Sequence, residues 1–151
     1  MSILREYQNA VVAELAGRTY FSSRQMQVFS RTTQDLKSKL NEVYGRIGVA
    51  LYVHPPKPEN LEKNIVIAPT FKSMEIRVSI IENPMLNKTG QDAWDIWEEV
   101  LKLHGWRSAG LTFCGALFGR DKPFEDHSDD KTDVRVFDAV FTVQIVLKGN
   151  S

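Results

Sequence analysis

The chain has 151 residues, a length that suits one domain with a real core, and its 42% hydrophobic and 25% charged residues are globular values rather than those of a disordered chain. Lys plus Arg number 19 and Asp plus Glu number 19, so the formal net charge is zero and no basic surplus points to binding of nucleic-acid phosphates. The single cysteine, Cys114, excludes an intrachain disulfide and a thiolate metal cluster. No apolar run approaches the ~20 residues of a membrane span, and MSILREYQNAVVAEL lacks the pattern of a signal peptide, so a soluble, cytoplasmically made product is expected.

In chain order, Ser2 is placed to cap a helix in which Leu4, Tyr7, Val11 and Leu15 recur as one apolar stripe, with Gly17 as its stop. Met26, Val28 and Ser30 alternate with Gln27 and Phe29, which reads as a short strand. Thr32 stands three residues before Asp35, a weak form of the capping box, and Leu36, Leu40, Val43 and Ile47 follow at helical spacing up to Gly48. VALYVHPPKP, 49–58, is a strand whose pairing is expected to stop near His54, because Pro55, Pro56 and Pro58 have no N–H to donate. NIVIAP is a further short strand candidate.

FKSMEIRVSIIENP is the clearest strand. Met74, Ile76, Val78 and Ile80 point one way and Ser73, Glu75, Arg77 and Ser79 the other, the pattern of a sheet with one buried and one wet face, and Pro84 ends it. NKTGQDAWDIWEEVLKLHGW is the best helix. Thr89 and Asp92 are cap candidates, Asp92 and Asp95 complement the dipole, and Gly105 terminates it. Trp94, Trp97 and Leu101 form its stripe, widened by Ala93, Ile96, Val100 and Leu103, while Glu98 and Lys102 face each other at i, i+4 on the wet side. Two strands then flank a polar insert. The first is the apolar run from Leu111 to Phe118. The second alternates Phe137, Ala139, Phe141, Val143, Ile145 and Leu147, and its other face mixes Asp138, Thr142 and Gln144 with Val136, Val140 and Val146, implying partial cover. The fold class is α+β: a mainly antiparallel (mixed) β-sheet with helices packed on one face and a long C-terminal β-hairpin, residues 1–151 forming a single domain.

The polar insert contains FEDHSDDKTD, which packs five acidic residues and His127 into positions 125–133. Counted as a calcium loop from Asp126, it offers Ser128 and Asp130 at positions 3 and 5 but Lys131 in place of the glycine and Phe137 in place of the closing glutamate. His127 has no second histidine nearby in sequence, so the stretch reads as a solvated hairpin tip rather than a metal site. His54 reads as a strand-end residue. His104 reads as a helix C-terminal imidazole favoured by the dipole, and Cys114, between Phe113 and Gly115, as a buried small side chain. No phosphate-cradling glycine motif or nucleophile elbow is present; Glu98 and Glu99 diverge by about 100° on their helix, and the helical tryptophans read as core. No catalytic residue, cofactor site or metal ligand is assigned, and the chain reads as a non-enzyme. The alternative of another class is a small ligand- or metal-binding, enzyme-like domain using the acidic hairpin.

The succession FKSMEIRVSIIENP, DAWDIWEEVLKLHGW and VRVFDAVFTVQIVL resembles the second half of the small tail terminator, or tail completion, proteins of long-tailed bacteriophages and prophages. Two helices and VALYVHPP are similar in order and length to the first half. The resemblance implies a structural subunit that forms a homo-oligomeric ring, a hexamer, which caps the tail tube. It implies as partners a second copy of itself, the tail tube protein and a head-completion or connector protein. It places the protein in the bacterial host cytoplasm during assembly and then in the virion tail. Another phage connector or baseplate subunit of similar fold is the neighbouring alternative. Balanced charges suit faces of complementary sign. The candidate assembly contacts are Glu75 and Arg77 on the wet strand face, Arg120, and Glu125, Asp126, Asp129 and Asp130 of the acidic tip.

Overall fold

The period-2 segment becomes the middle of a six-stranded sheet in the computed structural model, which describes residues 2–30, 45–59, 70–128 and 130–147. Helix α1 (Ile3–Gly17) starts where Ser2 Oγ accepts the Arg5 N–H at 3.2 Å, and it buries Tyr7, Val11 and Leu15 as its spacing predicts. It stops because Arg18 takes an extended conformation, and a one-turn helix, α2 (Thr19–Ser22), follows where no sequence signal marked one. A turn through Gln25, which adopts a left-handed φ of 59°, then delivers β1 (Gln27–Ser30).

Strand β1 runs parallel to β2 (Val49–Val53), and β2 runs antiparallel to β4 (Thr70–Glu82). The β2 ladder ends at Val53, next to His54 as expected, but pairing with β4 then resumes. After the Pro55–Pro56 pair, β3 (Lys57–Pro58) returns to β4, with Lys57 opposite Glu75 and Pro58 opposite Met74. Proline lacks a donor but keeps its carbonyl, and the flanking Glu59 N–H bonds the Ser73 carbonyl at 2.9 Å, so the prolines bend the ladder without closing it. The Thr32/Asp35 cap, the Leu36, Leu40 and Val43 stripe and the NIVIAP strand lie outside the described residues.

Strand β4 pairs along its whole length with β6 (Arg135–Leu147), from Thr70 opposite Leu147 to Glu82 opposite Arg135. Met74, Ile76, Val78 and Ile80 are buried, and so are Phe137, Ala139, Phe141, Val143 and Ile145 on the same face. The outer partner of β6 differs from expectation. The apolar run is not a strand before Phe118: Cys114 makes only an isolated bridge to Ile145, and the Leu117 carbonyl and N–H bond the backbone of Gly105 and Trp106. That run ties the end of a helix to the sheet. The strand is β5 (Phe118–Asp126), taken mostly from the polar insert, so the tip shrinks to 127–134. Its polar, proline-containing and bulged sequence suits a sheet edge.

The best-patterned helix is α3 (Ala93–Leu101), opened by a reciprocal box in which Asp92 Oδ1 accepts the Asp95 N–H at 2.9 Å and Asp95 Oδ2 accepts the Asp92 N–H at 3.2 Å. Its core stripe is Ala93, Ile96 and Val100, continued by Leu103. Trp94, expected in the apolar stripe, is 46% exposed and stacks on Phe124 of β5 with ring centroids 4.7 Å apart. Lys102 pairs with Glu99 at 2.7 Å rather than with Glu98. Helices α1 and α3 pack on one face of the sheet through a shared core, and among the described residues no helix packs on the other. This is the α+β class, with sheet order β1-β2-β4-β6-β5 and β3 against β4.

Candidate functional site: a polar network on the open sheet face

The open face is built by the outward phase of each strand. β4 contributes Glu75, Arg77 and Ser79, β6 places Thr142 opposite Glu75 and Asp138 opposite Ser79, and β5 sets Glu125 beside Asp138. β2 is followed by His54, whose N–H bonds the Arg77 carbonyl at 2.9 Å. Strand register alone therefore crowds one cation among several carboxylates.

Arg77 is the hub. Its guanidinium grips both Glu125 oxygens at 3.0 Å, Asp138 Oδ2 at 2.7 Å and Glu75 Oε1 at 2.8 Å. The planar fork suits this multiple pairing where a lysine would not. The hydrogen bonds to Glu125, above all, raise the guanidinium pKa further above its already high value, and the same bonds hold the Glu125 carboxyl below the usual range. Next to it, Arg120 ion-pairs with Glu59 and lies 3.6 Å from Glu75, while Thr142 Oγ1 donates to Glu59 at 2.8 Å. Glu59, Glu75, Glu125 and Asp138 thus share two guanidiniums, with His127 Nε2 on the rim 3.1 Å from Glu125 and 3.3 Å from Asp138.

Beneath the hub lies a buried chain. Ser79 Oγ donates to Asp138 Oδ1 at 2.6 Å, and His54 Nε2 sits 2.7 Å from the same Oγ; Ser79 is 6% and Asp138 3% exposed. The hydroxyl's one proton goes to the carboxylate, so His54 must donate to the oxygen. That is the reverse of a nucleophile–base relay, in which the imidazole would receive the serine proton. The arrangement satisfies buried polar atoms and does not prepare a nucleophile. Burial pushes the His54 imidazole below its ordinary 6.5. It also pushes the Cys114 thiol up, and among the described residues no group of three His, Cys, Asp or Glu side chains is arranged to hold a metal ion.

Four of the candidate contact residues, Glu75, Arg77, Arg120 and Glu125, are brought together in this network and engage one another. Asp126 ends β5, and hydrogen bonds from the Ser128 side chain and then from its N–H, the latter to Oδ1 at 2.8 Å, lower its carboxyl pKa. Asp130 is exposed in the tip, and Asp129 lies outside the described residues. Sequence reasoning separated His54 from His127, whereas the structure sets both on the rim of one open depression that also includes Lys57, Glu75 and Glu125. It missed Ser79, Asp138 and Glu59 as members. The available signal was the lone acid Asp138 among the valines of its strand face. His104 follows the end of α3 and serves as a tether, its Nδ1 accepting the Gly119 N–H at 2.9 Å, which differs from the expected dipole role.

No protein-family model matches the sequence, and no curated protein matches it. Among solved structures, a chain from the virion of a native gene transfer agent particle aligns with a TM-score of 0.63 and 15% identity, covering 97% of this chain and 100% of that one. A second solved chain aligns with a TM-score of 0.56 and 11% identity over 99% of this chain and 100% of its own. At these identities the likeness is one of fold.

Proposed function

We propose that this chain is a non-enzymatic structural subunit of a phage or prophage tail that closes into a homo-oligomeric ring, caps the tail tube and contributes to head–tail joining. The observation that carries the reading is the fold likeness to a chain of a gene transfer agent virion, which takes in 97% of this chain and the whole of the other. The order of strand, helix and terminal strand that resembles tail terminator proteins agrees with it. The open face supports it chemically. Arg77 is saturated by carboxylates, and Ser79 directs its proton away from His54. The partners of this reading are further copies of the chain, six in the ring, the tail tube protein and a head-completion or connector protein. Its places are the host cytoplasm during assembly and then the virion tail. Native mass spectrometry of the purified protein over rising concentration, alone and with tube protein, is expected to show one closed oligomer; a strict monomer in both series overturns the reading.

A second reading has one observation behind it. His54, His127, Glu75 and Glu125 do converge on a single depression, open to solvent and about 610 Å³ in extent. A small-ligand or metal site there predicts micromolar binding of zinc or another divalent cation by calorimetry, abolished by Glu125→Gln together with His127→Ala.

A further inference from the structure

The polar network satisfies itself, and among the described residues exposed apolar side chains stand at both ends of the long β4–β6 pair. Beyond β4, the loop after Glu82 carries Met85 at 81% and Leu86 at 45% exposure. This loop is tightly held. The Asn83 N–H bonds the Gly48 carbonyl and the Lys88 N–H the Ile47 carbonyl, both at 2.9 Å, and Asn83 Oδ1 accepts the Met85 N–H at 3.1 Å. Gly48, at φ +79°, lies so close beneath the loop that a Cβ there would meet Leu86 and Asn87 backbone atoms at 2.5 Å. A rigid loop presenting a bare methionine is preorganised for contact, and methionine adapts well to a receiving surface.

At the opposite end an open depression of about 350 Å³ has Ala116 and Phe118 as its apolar wall, with Ser73, Arg107, Thr142 and Gln144 around it. Phe118 is 48% exposed. From Ser73 to Glu82 the strand runs about 30 Å at roughly 3.3 Å per residue, so one molecule cannot seat its own loop in its own depression. Charge agrees with such a pairing. Arg107 has no ion-pair or hydrogen-bond partner among the described residues, and neither have Asp130 and Asp133 beside Met85, whereas Arg135 there leans toward Glu82 at 3.7 Å.

We infer that a second copy of this chain occupies the depression: the Met85–Leu86 loop of one copy enters the seat at Ala116 and Phe118 of the next, with Asp130 and Asp133 approaching Arg107. The contact is head-to-tail, the heterologous kind that propagates around a ring. It rests on the ring reading above and specifies its interface.

The test uses two variants of the full chain. Met85→Asp spoils the loop and leaves the seat, and Phe118→Asp does the converse. Both side chains are exposed, so both variants are expected to keep the parent's circular dichroism and melting temperature; Met85→Ser and Phe118→Ser replace them if a charge unfolds the chain. In sedimentation velocity each variant alone is expected to need at least tenfold more protein than the parent to assemble. An equimolar mixture is expected to give a heterodimer that grows no further, because one intact loop and one intact seat remain between the two. If the parent assembles and both variants assemble equally well, this contact is wrong while the ring reading survives. Loss in each variant without recovery in the mixture overturns the head-to-tail pairing. A parent that stays monomeric, alone and with tube protein, and a silent mixture overturn both.

Discussion

Three carboxylates lean on one guanidinium, and this geometry makes Arg77 hard to replace. Arg77→Lys keeps the charge but loses the fork, with an expected cost on the order of 1–3 kcal/mol in urea denaturation. Arg77→Met leaves the nearly buried Asp138 without its cation, and about 3–5 kcal/mol is expected. A loss under about 0.5 kcal/mol for the methionine variant would show that the network adds nothing to stability. Tyr7 predicts the opposite sign. Its ring is fully buried, its hydroxyl has no hydrogen-bond partner among the described residues, and burial raises its pKa. Tyr7→Phe is therefore expected to be neutral or stabilising by about 1 kcal/mol, and a clear loss in the melting temperature would reveal a hidden partner. At this scale the sequence marked the polar residues but not their companions. Arg77 and Glu125 are 48 positions apart, and Ser79 and Asp138 are 59 apart.

Elements are joined by two buried devices. Glu82 ends β4 with an almost fully buried carboxylate, accepts the Ala93 N–H at 3.1 Å and the Asn87 amide at 2.7 Å, and so places negative charge at the first turn of α3. Gly48 lets the loop before α3 lie directly on the start of β2. Gly48→Ala must both strain a left-handed φ and displace backbone, so more than about 2 kcal/mol is expected from chemical denaturation. If Gly48→Ala unfolds with the parent's midpoint, the loop is not held by this approach and its preorganisation fails with it. Asp92→Ala, which opens the capping box, is expected to cost about 1 kcal/mol. Helices α1 and α3 and strands β4 and β6 were legible in advance, because each buries one face and writes that face into its spacing. β5 was not. An edge strand with a polar outer phase carries only a weak apolar signature, so the stronger apolar run just before it drew the assignment.

The molecule as a whole carries a pH dependence of one sign in two windows. His54 is held below its ordinary 6.5, so between its folded value and 6.5 the unfolded chain binds the extra proton. Its contribution is complete above 6.5 and is lost as pH falls below that value. Glu125 and Asp126 are held below 4.5 and 3.8, and their contributions are lost only as pH falls below those values. Thermal melts from pH 8 to 5 are expected to fall at the acid end, and His54→Gln is expected to flatten that limb; an unchanged slope would place the titrating group elsewhere.

Sequence alone determined the alternation that makes β4 and β6 two-faced, the stripes and caps of α1 and α3, and hence a sheet covered by helices on one side. These are local periodicities, and burial of one face imposes them on neighbouring residues in the chain. Tertiary structure alone decided that pairing resumes past the prolines, that the acidic insert supplies an edge strand, and that two histidines and four carboxylates gather round Arg77 and Arg120. Register between strands far apart in sequence is set by their joint packing, and a side chain's own neighbours in the chain carry no record of what will stand opposite it.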